Sequence, residues 1–522
     1  MAGVRYLLAL SCALPVCVCF LTAGVSAAAR SRIHVHPDNH WFLDSSGRVR
    51  IFHGINAVQK GFPWYPTQML NQSRLDELQS WGFNALRLGM MWAGAEPQEG
   101  RYNQTYMSMI RNITAELGRR GIYTILDMHQ DSLDSFYDGV PPWLVASFPP
   151  PEHPYPWPLK NVTSYDANYL TQRCSHNFQC LYDNYKGAAD KMAGFWKFVA
   201  TEFSNQTPVL GYELINEPWV GDWTKDPELF LPGHAGKKNV APLHDRFSRA
   251  IRTVDEETMI FYEPVIWGYV FSEDGVLGSG FEHVPGGMAY RNRSVLSYHY
   301  YCPLYQQPNQ QQYPEYKKVA CDDIYGPKMF SAVQEDLETL GGGSFLTEFG
   351  LCWPNASDPT YPDTVECGYV LKQADSFLQS WTYWDATPGS RVFWDRTGRA
   401  IPESISLFAR TYARAVAGIP TEMTFDIDTS HFQLTFTSDL SIKEPTEIFV
   451  PRMHYEAGYT VLSSAELECE VDGKDHSLLY IRHKRTNQVT AFLTDESTVT
   501  VVPSSHANSI SGNICLKVNW QI

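Results

Sequence analysis

The sequence predicts an α/β protein: a (β/α)8 TIM barrel followed by a C-terminal antiparallel β-sandwich. Three observations support this fold class. Eight short apolar segments recur along most of the chain, and helical patterns separate most of them. Polar side chains follow the apolar run in many of these segments, and from residue 420 onward apolar and polar residues alternate instead. Alternating strands and helices predict a parallel sheet, and eight such units over roughly 380 residues suit a closed barrel with enlarged loops.

The barrel strands are predicted from buried apolar runs that end at turn signals. They are expected to begin near Ile51, Phe83, Ile122, Val209, Met259, Val295, Ser344 and Ser380. Helices are expected at 73–81, with Ser73 as the cap, and at 106–120, 185–203, 239–257, 332–340 and 405–416. The segment 136–173 is too rich in proline for a helix, so it is predicted to be a long loop over the strand ends. Its part 136–158 fits either an apolar wall or a rigid lid.

The predicted domains are a signal peptide at 1–29, the barrel at 30–419 and the β-sandwich at 420–522. The sandwich is predicted from period-two alternation at 424–428, 432–436, 446–450 and 487–493, and it contains no catalytic candidates. Chains of this length usually form more than one domain.

The amino terminus has the features of a removable secretory signal. Arg5 supplies the positive charge, 7–21 the apolar run, and 25–29 the small residues before cleavage, expected near Ala27–Ala29. The apolar run is too short for a comfortable membrane span. The sequence therefore predicts export into a secreted or digestive compartment.

Eight cysteines follow the signal segment, an even number that suggests disulfides in an exported chain. The simplest hypothesis is local pairing: 174–180, 302–321, 352–367 and 469–515. Seven Asn-x-Ser/Thr sequons agree with secretion: Asn71, Asn103, Asn112, Asn161, Asn205, Asn292 and Asn355. No Cys-x-x-Cys pair or histidine cluster indicates zinc. Neither a metal nor a cofactor is predicted.

Two glutamates stand where apolar strands end, which is unusual for structural residues. Glu217 follows the strand near Val209, with Asn216 before it and Pro218 after it, and Glu348 ends the strand near Ser344. The carboxyl ends of barrel strands form the face that carries chemistry. A single such glutamate is more often a solvated loop residue, but two of them are what hydrolysis of a glycosidic bond requires. Glu263 also precedes a proline but lacks the neighbouring asparagine, and it is expected only to line the cleft.

Composition narrows the choice of partners. The formal net charge of −16 argues against nucleic acid and against anionic membrane surfaces, because both require basic patches. Aromatic residues make up 14% of the chain, including 15 Trp and 29 Tyr. This aromatic content fits two interpretations equally well: a large core, and a cleft lined by rings that stack on sugars.

The motifs together resemble glycoside hydrolase family 5. They are Asn216-Glu217-Pro218, Thr347-Glu348-Phe349-Gly350, an arginine (Arg87) on the second strand, His129-x-Asp131 after the third, and His299-x-Tyr301 between the two glutamates. Within that family, the runs 54–60 and 126–131 resemble the endoglycoceramidases, and the resemblance extends over essentially the whole mature chain.

The resemblance implies a retaining mechanism, with Glu217 as general acid/base and Glu348 as nucleophile. Arg87 and Tyr301 would keep Glu348 ionised and oriented, and His299 would orient Glu217 or its neighbours. The implied substrate-binding residues are Lys60, His129, Asp131, Asn216, His299, Tyr301 and Trp384. Trp381 is the rival of Trp384 as the platform under the sugar. Structural interpretations remain open: a core position for His299 and Tyr301, an ion pair for Arg87 and a solvated loop charge for Lys60.

The resemblance also implies the substrate class. An endoglycoceramidase cuts the β-glucosidic bond between an intact oligosaccharide and ceramide, so the expected partner is a glycosphingolipid, with transient contact with lipid surfaces or micelles. The alternatives are a β-glucosidase acting on glucosylceramide or steryl glucoside, an endo-β-glucanase, and a non-catalytic glycolipid-binding barrel. The presence of both glutamates argues against the last of these.

Overall fold

A computed structural model describes residues 31–37, 39–134, 139–162, 166–266, 268–269, 278–302, 315–355, 357–387, 389–484, 493–506 and 512–519. The predicted signal peptide and its cleavage site lie outside these residues. Within the described part of the chain, none of the helices combines the length and the apolar character needed to cross a bilayer.

The strands of the described residues fall into three sheets. They are β1 His34–Val35, β2 Phe42–Leu43, β3 Val49–Arg50, β4 His53–Ala57, β5 Ala85–Gly89, β6 Tyr123–Asp127, β7 Val209–Glu213, β8 Met259–Tyr262, β9 Ser294–Tyr300, β10 Gly343–Gly350, β11 Trp381–Trp384, β12 Tyr412–Val416, β13 Gly418–Asp426, β14 His431–Asp439, β15 Thr446–Phe449, β16 Tyr459–Ser463, β17 Leu467–Val471, β18 Leu478–His483, β19 Leu493–Pro503 and β20 Asn513–Val518.

Strands β4 to β11 form a closed, all-parallel barrel in chain order, which confirms the predicted (β/α)8 fold. These strands are buried along nearly their whole length, as expected for parallel strands covered by helices. An apolar cluster lies at the start of the barrel strands. It contains the first residues of several of these strands together with Phe42, Phe52, Phe261 and Phe345. This cluster closes the end of the barrel opposite the carboxyl ends, so only the carboxyl-terminal face is left for a cleft.

The α-helices cover the outside of the barrel and its loops. They are α1 Gln72–Ser80, α2 Trp92–Ala95, α3 Gln104–Arg119, α4 Pro142–Val145, α5 Gln172–Tyr182, α6 Ala188–Phe203, α7 Ala241–Arg252, α8 Glu315–Lys318, α9 Gly326–Leu340, α10 Pro362–Ser376 and α11 Pro402–Phe408. The cap of α1 is Asn71, not Ser73, because the Asn71 side chain accepts a hydrogen bond from the Ser73 amide. The helix predicted at 405–416 ends at Phe408, and β12 follows it.

The carboxyl-terminal part forms antiparallel sheets, as predicted. One sheet has the order β13-β14-β19-β16-β20 and the other β1-β2-β3-β12-β15-β18-β17. The second sheet therefore joins strands from both ends of the chain, and β3, predicted as the start of the first barrel strand, belongs to it. The strand predicted at 487–493 lies almost entirely outside the described residues, and β19 begins at Leu493. The domain boundary at 419/420 stays a prediction.

The cysteine pattern is confirmed at three of the four predicted pairs. Disulfides join Cys302–Cys321, Cys352–Cys367 and Cys469–Cys515. The predicted Cys174–Cys180 pair is wrong: both residues lie on α5, and no disulfide joins them. Six residues of α-helix separate two Cα atoms by roughly 9 Å, which is beyond the reach of a disulfide.

Candidate active site

The predicted site residues converge on the carboxyl-terminal face of the barrel. They are Lys60 after β4, Arg87 in β5, His129 and Asp131 after β6, Asn216 and Glu217 after β7, His299 in β9 with Tyr301 beyond its end, Glu348 in β10 and Trp384 at the end of β11. Contacts between strands hold the segment beyond β7 in place. The Leu214 amide donates to the Phe261 carbonyl, and the Asn216 amide donates to that of Met128, each at 3.1 Å.

Glu217 and Glu348 face each other across a short gap. His299 Nδ1 lies 2.9 Å from Glu217 Oε1 and 3.9 Å from Glu348 Oε2. A carboxylate oxygen of each glutamate and a ring nitrogen of His299 all lie within 4.8 Å of one another. Retaining glycosidases place their two carboxyl groups about 5–5.5 Å apart, whereas inverting enzymes need room for a water, about 6.5–9.5 Å. The separation here fits the retaining arrangement.

Glu348 is held by two donors at different oxygens. Tyr301 Oη donates to Oε1 at 2.6 Å, and Arg87 Nη1 donates to Oε2 at 2.9 Å. Burial raises the pKa of Glu348 to about 7, and the nearby Glu217 adds to that, while His299, Arg87 and the Tyr301 hydrogen bond oppose the rise. The two donors favour the ionised form, which is the form that a nucleophile needs.

Glu217 is the more easily protonated member of the pair. Burial raises its pKa to about 8, with a further increase from Asp131, while Lys60, the Tyr169 hydrogen bond and Arg87 lower it. Tyr169 Oη donates to Glu217 Oε2 at 3.2 Å. Glu217 lacks the direct contact with the Arg87 guanidinium that Glu348 has, and Asp131 lies near it, so its surroundings favour the protonated form more than those of Glu348 do. This difference fits the predicted roles, Glu217 as the acid and Glu348 as the nucleophile.

Glu263 lies beneath Glu217 and is only 3% exposed. Glu217 has φ +44°, in the left-handed region that residues other than glycine rarely adopt. Its backbone amide donates to Glu263 Oε2 at 3.0 Å. Burial and the neighbouring Glu213 raise the pKa of Glu263 well above its usual range. Glu263 therefore supports the unusual backbone of Glu217 rather than lining the cleft.

Arg87 is the centre of a buried charge cluster. Its guanidinium contacts four carboxylates: Asp127 at 3.2 Å, Glu263 at 3.4 Å, Glu348 at 2.9 Å, and Glu213. Burial opposes the charge of Arg87, but the four carboxylates raise its pKa well above the usual value. The guanidinium also donates to Asn56 Oδ1 and Asn216 Oδ1. One permanent cation thus fixes the positions of Glu348 and of Asn216, the residue before Glu217.

Sequence reasoning missed Asp127 and Glu213 in this cluster. Each is the last residue of its strand, β6 or β7, and the two are direct partners in the sheet. Both are fully buried. A carboxylate at the end of an otherwise apolar strand was the available signal. Tyr169 was also missed, and it lies in the proline-rich segment, where no pattern marks it.

The open side of the cleft carries an aromatic ring and an ion pair. Trp384 is partly exposed, and its ring lies nearly parallel to that of His129, with 5.0 Å between centroids. Lys60 Nζ lies 5.1 Å from the Trp384 ring centroid and 2.6 Å from Asp131 Oδ2. Trp381 is completely buried. Of the two tryptophans, only Trp384 presents a face to a ligand.

Asn216 is already engaged by the protein. Its Oδ1 accepts from Arg87 Nη2 at 2.7 Å, and its Nδ2 donates to the Gln130 carbonyl at 2.7 Å. Gln130 in turn donates from Nε2 to the Asn216 carbonyl at 2.5 Å. These contacts orient the Asn216 amide next to Glu217.

A barrel with this pair of carboxylates on its carboxyl-terminal face belongs to the class of barrel glycoside hydrolases. The model of the family described as cellulase (glycosyl hydrolase family 5) matches residues 43–390, and that of the glycoside hydrolase family 5 C-terminal domain matches 410–494. The chain belongs to glycoside hydrolase family 5, and within it the chain groups with the endoglycoceramidases.

The relatives support that grouping. The chain is 37% identical to an endoglycoceramidase of Cyanea nozakii, over 84% of this chain and 89% of the relative. It is 36% identical to an endoglycoceramidase of Hydra vulgaris, over 85% of each. Its fold is similar to that of endo-glycoceramidase II from Rhodococcus sp., solved as a ganglioside GM3 complex, with a TM-score of 0.71 and 23% identity over 89% of this chain and 99% of the other.

The charges around Glu217 predict how two substitutions move the pH profile. If Glu348 is the nucleophile and Glu217 the acid, activity falls as pH drops through the pKa of Glu348 and as pH rises through the pKa of Glu217. The pKa values that define both limbs of the pH profile should lie above 4.5, the ordinary pKa of glutamate. Lys60 lowers the pKa of Glu217, so Lys60→Met should move the alkaline limb to higher pH. Asp131 raises it, so Asp131→Asn should move that limb to lower pH.

The measurement is kcat/KM against pH for wild type and both variants. Both variants are also expected to lose affinity, since both residues face the cleft, but the limb position is independent of that loss. Displacement of the alkaline limb in the same direction by both substitutions would contradict the assignment of Glu217 as the acid.

Glu263→Ala should lower kcat by about 10- to 100-fold with little change in KM, because the acid would lose the acceptor that holds its backbone amide. Glu263→Gln is the matched control. It keeps an oxygen acceptor at the same place, so its kcat should stay closer to wild type. Steady-state kinetics of the two variants test this, and equal losses in both would argue that the charge of Glu263 matters rather than its hydrogen bond.

Proposed function

We propose that this chain is a retaining endo-β-glycosidase that hydrolyses the β-glucosidic linkage between oligosaccharide and ceramide in glycosphingolipids. It releases the intact oligosaccharide and ceramide. The observation that carries the reaction type is the approach of Glu217 and Glu348 within 4.8 Å at the barrel mouth. The substrate class is supported by the similarity to endoglycoceramidases over most of the chain.

The reaction takes two steps with opposite proton transfers. In the first, a Glu348 carboxylate oxygen attacks the anomeric carbon while Glu217 gives its proton to the glycosidic oxygen. The bond to ceramide breaks, and ceramide leaves as a neutral alcohol. In the second, Glu217 takes a proton from water, the hydroxide oxygen attacks the same carbon, and the bond to Glu348 breaks. Two inversions retain the β configuration.

The surrounding residues prepare each step. Arg87 and Tyr301 keep Glu348 ionised by charge and by hydrogen bonding, and they stabilise the carboxylate when it leaves. Burial keeps Glu217 protonated until the leaving oxygen takes the proton. His299 contacts both carboxyl groups and keeps them in register.

The sugar-binding roles rest on residues at the open face. Trp384 gives a flat apolar surface on which a sugar ring stacks. Lys60, Asp131 and His129 supply donors and acceptors for hydroxyl groups. Asn216 is placed beside the acid for the 2-hydroxyl of the reacting sugar. No metal or cofactor is needed for these steps, because proton transfer and the carboxylate nucleophile account for the chemistry.

We further propose that the chain is exported. The signal at 1–29 and the sequons support export, and the three disulfides indicate an oxidising compartment during folding.

Incubation of the purified protein with a ganglioside, followed by thin-layer chromatography, tests the proposal. Ceramide and one intact oligosaccharide are the expected products, and Glu348→Gln is the matched inactive control. Release of glucose from glucosylceramide, with no oligosaccharide from ganglioside, would replace the proposal with a β-glucosidase. No cleavage of either lipid would reject both.

A further inference from the structure

Tyr301 contacts Glu348 from a position just beyond the sheet. The pairing of β9 with β8 ends at Leu296, and its pairing with β10 ends at Tyr300. The Tyr301 hydroxyl nevertheless donates to Glu348 Oε1 at 2.6 Å. Each residue has two soft backbone dihedrals, and past the last strand pair the sheet no longer fixes them. The position of this hydroxyl therefore depends on contacts outside the sheet.

A disulfide holds the residue that follows Tyr301. Cys302 is bonded to Cys321, and both are buried, in an apolar cluster of their own. Cys321 belongs to the π-helical segment Val319–Tyr325, which runs directly into α9. The bond therefore ties the backbone next to Tyr301 to the helical wall of the barrel.

The residue that precedes Tyr301 is held by the same wall. Tyr300 Oη donates to the Cys321 carbonyl at 3.4 Å. The Tyr300 ring stacks on Tyr325 with 5.7 Å between centroids, and it lies 6.1 Å from Phe330 of α9. Successive side chains of an extended segment point to opposite sides. The neighbours of Tyr301 are thus fixed to the wall, while Tyr301 itself points to the cleft.

We propose that the Cys302–Cys321 disulfide is a positioning element that holds the Tyr301 hydroxyl in place against Glu348. This inference rests on the proposed function, in which Glu348 is the nucleophile. Without the disulfide, only Tyr300 would anchor this end of β9 to the wall. The hydroxyl would then move relative to the carboxylate, and a hydrogen bond weakens steeply as its geometry departs from linear.

The hydrogen bond from Tyr301 affects the charge of Glu348. The charged and titratable groups nearest to Glu348 in the described chain are Arg87 from β5, Glu217 beyond β7, and His299 and Tyr301 from β9. Burial raises the pKa of Glu348, and the Tyr301 hydrogen bond lowers it. Burial and Glu348 raise the pKa of Tyr301 well above its usual range, so the phenol keeps its proton and donates. A weaker hydrogen bond should therefore let Glu348 take up its proton at higher pH.

The test is a titration of Glu348 in the full chain, labelled with carbon-13 at the side-chain carboxyl of glutamate and followed by nuclear magnetic resonance. Glu348→Gln identifies the resonance. Tyr301→Phe should raise the titration midpoint by about one pH unit, because a hydrogen bond to a charged group is lost. Cys302→Ala/Cys321→Ala should raise the midpoint in the same direction, by about 0.3 pH unit or more.

The matched control is Cys469→Ala/Cys515→Ala, which removes the disulfide between β17 and β20. Loss of either disulfide should lower the thermal unfolding midpoint. Only loss of Cys302–Cys321 should move the titration of Glu348. The acidic limb of kcat/KM against pH on an aryl glycoside should follow that titration to higher pH.

A combined variant separates positioning from a general structural role. If the disulfide acts through the hydroxyl, Tyr301→Phe with Cys302→Ala/Cys321→Ala should titrate as Tyr301→Phe alone. A further rise in the combined variant, no rise in the disulfide variant, or an equal rise in the control would overturn the proposal.

Cys302→Ala/Cys321→Val fills more of the buried space and replaces the alanine variant if that variant does not fold. If neither folds, the disulfide serves the whole fold and the positioning role is rejected. The titration needs no turnover. A chain that cleaves no glycolipid but shows the expected midpoints would reject the proposed function and keep the positioning role.

Discussion

Glu348→Gln is expected to reduce kcat on a glycosphingolipid by about 10⁴-fold or more, because the covalent step needs a carboxylate at that position. The introduced amide cannot carry the negative charge that forms the covalent bond. It keeps the size of the side chain and one oxygen, which can accept a hydrogen bond from Tyr301 or from Arg87 but not from both. Arg87 would still contact three carboxylates, so the thermal unfolding midpoint should change little.

The smaller variant Glu348→Ala gives a sharper measurement. It opens space beside the anomeric carbon, and azide can then attack a substrate with a good leaving group. A nucleophile on that side produces the α-glycosyl azide, with configuration opposite to the substrate. Nuclear magnetic resonance spectroscopy of the product determines its anomeric configuration. A β-glycosyl azide would assign Glu348 to the acid side and reverse the two roles.

Glu217→Ala is expected to lower kcat on a glycosphingolipid by about 10²- to 10⁴-fold, because the ceramide alcohol leaves poorly without a proton. On an aryl glycoside the first step should survive, since a phenolate needs no acid. The second step would then be slow, and the covalent intermediate should accumulate, lowering KM.

Azide should restore turnover of Glu217→Ala on the aryl glycoside and give the β-glycosyl azide, because it replaces water on the covalent intermediate. The pH profile of Glu217→Ala should also lack its alkaline limb, and this is the second measurement. A variant whose loss is equal on ceramide and aryl substrates would exclude an acid role for Glu217.

The barrel could be predicted from the sequence because each of its strands is a local apolar run. The carboxylate pair could be predicted because Glu217 and Glu348 stand where such runs stop. Both signals depend only on residues that are close together in the sequence. The helices around the barrel were predicted less exactly. The apolar spacing at 405–416 fits a helix, but only the first part of this segment is helical, because Tyr412–Val416 pairs with other strands.

What could not be predicted depends on contacts between distant residues. Their positions at strand ends mark Asp127 and Glu213 in the sequence, but their contacts with Arg87 form only once β5, β6 and β7 lie side by side. The hydrogen bond from Tyr169 to Glu217 joins a loop to a strand end, and no periodicity marks it. The pairing of Cys174 with Cys180 failed for a local reason, since the helix that contains them was hidden by the proline-rich sequence before it.

The sheet that unites both ends of the chain has a consequence for biosynthesis. Strands β1 to β3 lie near the amino-terminal end of the described residues, but β12, the partner of β3, is translated more than 300 residues later. The edge of β3 that pairs with β12 must wait for its partner strand while the barrel is made. This sheet is therefore completed late in synthesis, and we expect a chain that ends before Tyr412 to leave β3 without its partner strand.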